Sequence, residues 1–260
     1  MSDITDRPMR IVSLDFCSDQ YVLKLVDRDR ILGVSPDAKK QFSYMRDTAD
    51  GIASIKPIAE DVILKKPDLV VRSYGGGPNA AHFFEQAGIP VLNVGWANDL
   101  DGVKRVISEM SAGLGESEKG NQIIAQMDDR LNAIQSSSGD VTALYMTPTG
   151  VTSGAGSLVH EMLLAAGLTN FQDLPGWRSL PLERLAYEQP DIIAAAFFES
   201  KTNHKDAWSA MRHPVAKEQM IEQPTVMLQG AWTACGSWFL LDAIEALASA
   251  KYESITPDDN

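Results

Sequence analysis

Ala59-Glu-Asp-Val-Ile-Leu-Lys-Lys-Pro67-Asp-Leu-Val-Val71 and Leu182-Glu-Arg-Leu-Ala-Tyr-Glu-Gln-Pro190-Asp-Ile-Ile193 follow one pattern twice. Each reads as a helix, a polar pair, Pro-Asp and a buried strand. A glutamate stands seven residues before the proline in both copies, as Glu60 and Glu183. A long helical stretch lies between the copies, and the recurrence points to two related lobes.

Working outward from the first copy, Arg10–Leu14 is a short β-branched apolar run and reads as a strand. Asp15–Val26 follows with helical spacing, and Ser18 or Asp19 is placed to cap it. Ile31–Val34 is a second strand, Lys56–Leu64 a short helix, Leu69–Val71 a third strand, Pro78–Gln86 a helix and Pro90–Val94 a fourth strand. Strands alternating with helices imply a parallel sheet covered on both faces. Asp101–Ala112 and Glu116–Gln135 are helical, with Ile123, Ile124, Met127, Leu131 and Ile134 at three-to-four spacing and Glu116 and Glu118 favoured by the dipole of the first turn. The second of these helices is roughly 30 Å long, enough to pass between two lobes.

Around the second copy, Val141–Met146 is a strand, 147–156 a turn and Ser157–Ala166 a helix. Leu180–Tyr187 is a short helix, Asp191–Ala195 a strand, Trp208–Met211 part of a helix, Thr225–Leu228 the last strand and Ser237–Ala250 the last helix, before a loose tail at Pro257–Asn260. The expected architecture is α/β, with two Rossmann-like βα lobes: 1–112, an inter-lobe helix over 113–138, and 139–260.

The chain has 260 residues, with 35 acidic and 23 basic side chains. The acidic balance argues against nucleic acid and against an anionic membrane surface as partners. The charge is uneven: residues 1–112 hold 16 acids and 14 bases, while residues 113–260 hold 19 and 9. No apolar run reaches the length of a membrane span. Met1–Asp6 lacks the basic and apolar regions of a signal peptide, which fits either a cytoplasmic chain or one whose signal peptide has been trimmed.

Few motifs carry chemistry. Gly75-Gly-Gly77 between a strand and a helix lacks the further glycine or the lysine of a phosphate cradle and reads as a flexible loop at a sheet's carboxyl edge. His82, His160, His204 and His213 show no metal-ligand spacing, and no catalytic group or metal site is expected. Trp96, Trp177 and Trp232 fall in loops beside strands and helices, where tryptophan serves either packing or a ligand wall. Cys17 and Cys235 each open a helix. They read as small buried residues, as a disulfide tying the lobes, or as a pair facing the ligand.

Several segments together resemble the class III substrate-binding proteins of ATP-driven (ABC) importers, which deliver vitamin B12, ferric siderophores or haem. They are Arg10–Leu14 with Arg30–Ser35, Lys66–Val71, Ala87–Val91, Thr152–Ser157 with Ala166–Asn170, and Leu180–Glu183 through Ile193. The resemblance covers about residues 10–250. It implies two βαβ lobes bridged by one long helix, a ligand cleft between them, binding without catalysis, and release of the cargo on a permease of the inner membrane. It also implies a periplasmic location with the signal peptide trimmed.

By the same resemblance, Trp177 matches a ligand-lining tryptophan of vitamin B12-binding members. Tyr74, Trp96 and Trp232 fall near further cleft positions, and Phe16, Cys17, Arg178 and Cys235 join the expected ligand-binding set. Glu183 matches a permease-docking glutamate, with Glu60 or Glu85 as its first-lobe counterpart. Asp15-Phe-Cys-Ser-Asp-Gln20 departs from the small, hydroxyl-rich loop common at this point in the family.

An aromatic wall with few cations beyond Arg72 and Arg178 suits a corrinoid, a broad and largely apolar macrocycle. A catecholate siderophore would need more arginine and lysine. Haem and a neutral hydroxamate siderophore are the alternatives within the family. A tetrapyrrole chelatase is the enzymatic alternative and would require His82 or His160 paired with Glu85 or Glu161. The chain is expected to be a monomer with no cofactor of its own.

Overall fold

The computed structural model describes residues 7–134, 140–196 and 213–255. The helix expected around Trp208–Met211, His204, the far end of the 113–138 segment and the terminal tail lie outside the described residues. The chain divides into two compact units, one of residues 1–96 and 102–126, the other of residues 97–101 and 127–260.

The first unit is built on four strands: β1 (Ile11–Ser13), β2 (Ile31–Gly33), β3 (Leu69–Arg72) and β4 (Val91–Asn93). They form a parallel sheet in the order β2-β1-β3-β4. Helices α1 (Phe16–Leu25), α2 (Ala59–Ile63), α3 (Ala80–Gln86), α4 (Leu100–Gly113) and α5 (Ser117–Ala133) follow the strands in sequence, and α5 contributes 117–126 to this unit and 127–133 to the other. β1 and β3 are buried along their whole length, which is why they read as unbroken apolar runs. Val12, Leu14, Val62, Val70, Ala80 and Phe84 pack together as a core.

In the second unit β5 (Thr142–Met146), β7 (Thr169–Asn170), β9 (Ile192–Ala195) and β10 (Thr225–Met227) form a second parallel sheet, in the order β10-β9-β5-β7. Read from the other edge this is the topology of the first unit, with β5, β7, β9 and β10 standing for β1, β2, β3 and β4. Helices α6 (Leu158–Ala165), α7 (Leu182–Leu185), α8 (Pro214–Glu222), α9 (Gly230–Thr233) and α10 (Leu240–Ile255) accompany it. β6 (Val151–Ser153) and β8 (Trp177–Ser179) pair antiparallel as a separate ribbon.

The repeated Pro-Asp has a structural cause. Asp68 accepts hydrogen bonds from the amides of Met9 and Arg10 at 2.8 and 2.9 Å, holding β3 beside the start of β1. Asp191 accepts from the amide and hydroxyl of Thr142 at 2.7 and 2.8 Å, holding β9 beside the start of β5.

Several sequence expectations are corrected. α1 is capped by Asp15, which forms a reciprocal capping box with Ser18, and neither Ser18 nor Asp19 is the cap. α2 begins at Ala59 rather than at Lys56, and α3 begins two residues after Pro78. The 147–156 turn contains β6, Trp177 lies on β8, and Trp232 lies within α9, so these two tryptophans are not in loops. Glu116 precedes α5, and its carboxylate is buried against the guanidinium of Arg30. Arg7, at 2.5 Å, and Lys119, at 3.2 Å, complete that ion cluster.

Candidate functional site

All four strands of the first sheet end at one carboxyl edge, where open α/β folds bind ligands. β1 runs there into Asp15 and α1, β3 into the loop 73–77, and β4 into Val94–Trp96. Phe16 lies in the first turn of α1. Its ring packs edge-to-face on Phe42, with centroids 4.9 Å apart, and on Tyr74 at 6.1 Å. Tyr74 is about half exposed and Trp96 more so. The first unit therefore carries an aromatic surface at the edge where a ligand is expected.

The loop that carries Tyr74 is held from two sides. Asp15 Oδ2 accepts the amides of Ser73, Tyr74 and Gly75 at 2.7, 3.0 and 2.9 Å. Arg72 donates Nε to the Gly75 carbonyl at 2.8 Å and Nη2 to the Gly77 carbonyl at 2.9 Å. Gly75 passes so close to β1 that a Cβ there would meet the Leu14 carbonyl oxygen at 2.5 Å. The Gly75-Gly-Gly77 stretch is thus a tethered loop, not the flexible one its composition suggested. Arg72 is buried and bound to the loop's carbonyls, so it is not a cation of the aromatic wall.

Electrostatics follow from burial. Burial pushes the Asp19 carboxyl up to about 6, against the opposing effect of its hydrogen bonds from the Ser35 amide and hydroxyl. Burial, reinforced by the charges of Asp15, Asp37 and Asp19, holds the Tyr74 phenol above its ordinary range. Burial alone pushes Tyr145 up to about 12. Both phenols stay protonated at neutral pH.

In the second unit Trp177 extends from β8 and packs edge-to-face on Tyr145 of β5, with centroids 6.1 Å apart. More than half of Trp177 remains exposed. Arg178, next along the strand, donates Nε to the Pro175 carbonyl at 2.9 Å. Trp232 is partly buried in α9. The structure thus joins Phe16 with Tyr74 in one unit, while in the other it joins Trp177 with Tyr145. Neither Cys17 nor Cys235 is a free thiol, and each is partly buried.

Phe42 and Tyr145 were not singled out in the sequence. Phe42 stands among polar residues with no periodicity to mark it, and Tyr145 sits inside an apolar strand, where an aromatic side chain draws no notice.

The three candidate docking glutamates are exposed. Glu60 lies in the first turn of α2 and Glu183 in the first turn of α7. These two short helices precede β3 and β9, the equivalent strands of the two sheets. Glu85 lies near the end of α3, which has no such relation to α7. The histidines among the described residues are otherwise engaged: His82 bonds to Gln86, His160 to Asn170, and His213 caps α8 by accepting from the Val215 amide. One ring nitrogen of each of His82 and His160 is thus engaged by an amide side chain. Among the described residues no group of three or more His, Cys, Asp or Glu is placed to hold a metal ion. No helix among them is long and apolar enough to cross a membrane.

Comparison with known proteins places these features among relatives. The family model described as periplasmic binding protein matches residues 11–231. An uncharacterised ABC transporter substrate-binding lipoprotein of Bacillus subtilis is 25% identical over 273 residues, covering 98% of this chain and 82% of that protein. A cobalamin-binding protein of Halobacterium salinarum is 24% identical over 200 residues, covering 73% of this chain and 54% of that protein. Among solved structures, the periplasmic haem-binding protein RhuT of Roseiflexus sp. RS-1 superposes with a TM-score of 0.73 at 19% identity, covering 95% of this chain and 99% of that one.

Proposed function

Since the chain belongs to the periplasmic binding protein family, we propose that it is the substrate-binding component of an ABC importer whose cargo is a corrinoid. Its place of action is the family's, the periplasm. The observation that carries the ligand reading is the pairing of exposed aromatic surfaces with committed cations. Tyr74 in one unit, backed by the partly buried Phe16 and Phe42, and Trp177 in the other, backed by the buried Tyr145, offer apolar faces, while Arg72 is bound to its own loop. Such a surface suits a macrocycle whose rim carries neutral amides. Haem propionates and catecholates call for unpaired cations. Trp96, Trp232, Cys17, Cys235 and Arg178 complete the proposed ligand-contacting set. Binding without turnover is the proposed activity.

Delivery to a permease is assigned to Glu60 and Glu183, the exposed first-turn glutamates of equivalent helices. Glu85 is left out because its helix is equivalent by topology to α8, between β9 and β10, and not to the helix that bears Glu183.

The ligand reading is tested by incubating the protein with cyanocobalamin, haemin and ferrioxamine B and recording the absorbance that co-elutes from a desalting column. Cyanocobalamin is expected to be retained with an unchanged yield of free ligand on later extraction. Retention of haemin or ferrioxamine B in its place would overturn the assignment, and chemical conversion of the retained cobalamin would overturn the non-enzymatic reading.

A further inference from the structure

The polar side chains of the segment Asp15-Phe-Cys-Ser-Asp-Gln20 are buried where solvent cannot be their reason for being there. Each reaches a different part of the carboxyl edge. Asp15 Oδ1 caps α1 by accepting the Ser18 amide at 2.9 Å. Capping needs only that one oxygen. The other oxygen gathers three consecutive amides of the loop bearing Tyr74, about sixty residues further along the chain. Asp19 binds Ser35 just after β2. Gln20 accepts the Met45 amide at 2.8 Å and donates to the Ser43 hydroxyl at 3.0 Å, fixing the segment that bears Phe42. Phe16, from the same turn of helix, is the ring on which both Phe42 and Tyr74 pack.

We propose that Asp15 and Gln20 are positioning residues for ligand binding: they anchor the loops of Tyr74 and Phe42 to the helix that carries Phe16, so the aromatic wall is assembled before ligand arrives. This rests on the reading of that wall as a ligand surface. A wall ordered in advance does not lose side-chain and loop freedom on binding, so its affinity is higher than that of the same rings on loose loops. A carboxylate suits the task at Asp15 because three amide donors converge on one oxygen, and a charged acceptor makes stronger bonds than a neutral one.

Asp15→Asn keeps the capping oxygen but turns an amide nitrogen toward the three loop amides. Asp15→Ser keeps a cap and has no second oxygen at all. In ligand-free protein, amide hydrogen exchange at Ser73, Tyr74 and Gly75 is expected to quicken at least tenfold in both variants, while the amides of β1 and β3 keep their protection. Unchanged exchange at the three loop amides would overturn the proposal.

Titration with cyanocobalamin then compares wild type, Asp15→Asn, Tyr74→Ala and the double variant. Asp15→Asn is expected to weaken binding about tenfold, and to weaken it no further once Tyr74 is removed. An equal loss in the Tyr74→Ala background would mean that Asp15 does not act through Tyr74, and would overturn the proposal. Gln20→Met combined with Phe42→Ala is read in the same way. If wild type retains no cyanocobalamin, the corrinoid reading fails, and the anchoring claim is decided by the exchange data alone.

Discussion

At the scale of single residues, Asp19 is the most sensitive probe of the first unit. Its carboxyl is buried, and its folded-state value is raised from 3.8 to about 6. The folded state therefore holds this proton more tightly than the unfolded chain does. Its contribution to stability is fully present below about pH 4 and is lost as pH rises toward and through 6. The displacement corresponds to about 3 kcal/mol. Asp19→Asn keeps an oxygen for the Ser35 amide and has no charge to bury. The unfolding free energy of wild type should fall relative to that of the variant by about 3 kcal/mol between pH 4 and pH 7, as read by urea titration at each pH. Parallel pH profiles would show that Asp19 stays ionised throughout.

Elements are held by a few buried charges, and the Glu116 cluster is the strongest case. Arg30 is almost wholly enclosed. It donates Nε to the Pro8 carbonyl at 2.7 Å and Nη2 to the Leu114 carbonyl at 2.9 Å, and it pairs with Glu116. The N-terminal segment, the 3-10 turn Arg28–Arg30 that leads into β2 and the start of α5 meet at this point. Glu116→Gln would leave a buried guanidinium without its counter-charge, and a loss of about 3 kcal/mol in unfolding free energy is expected. Burial acts to raise the Glu116 carboxyl, but hydrogen bonds from Arg7, Arg30 and Lys119 outweigh it and hold the group below its ordinary value. The stability it confers is therefore present above the ordinary glutamate range and lost as pH falls below it. In the variant that acid-side loss should shrink.

Docking also belongs to this scale, because it follows from equivalent helices. Glu60→Ala and Glu183→Ala should each reduce ligand uptake by permease-containing vesicles severalfold without changing ligand affinity. Glu85→Ala should leave uptake unchanged. The reverse order for Glu60 and Glu85 would contradict the equivalence drawn from the two sheets.

The repeated helix-Pro-Asp-strand pattern was legible because a strand buried on both faces writes itself as an uninterrupted apolar run, and because Asp68 and Asp191 do the same work beside β1 and β5. β6 and β8 were not legible. Val151-Thr-Ser and Trp177-Arg-Ser are too short and too polar to show a period, and their pairing joins residues far apart in sequence. The aromatic wall was read in part. Tyr74 was marked by its position after a strand, and Trp177 and Phe16 by the family resemblance. Phe42 could not be, since only a ring contact across the fold gives it a role. Arg72 misled for the same reason: its sequence position beside Tyr74 suggested a ligand-facing cation, whereas its hydrogen bonds turn it toward its own loop.

For the whole molecule, the acidic balance and the sheet topology acquire a common meaning. Each unit repeats one four-stranded parallel arrangement, and each carries a glutamate on the helix before the strand equivalent to β3. Among the described residues His82 and His160 are engaged by amide side chains and His213 in a helix cap. The central claim is that the displayed aromatic faces take a corrinoid, with Trp177 among the contacts. Calorimetric titration of cyanocobalamin into wild type and Trp177→Ala tests it most directly. The account predicts saturation at one ligand per chain for wild type and at least tenfold weaker binding for the variant. Equal affinity in the two proteins, or no binding heat with cyanocobalamin where haemin saturates, would contradict it.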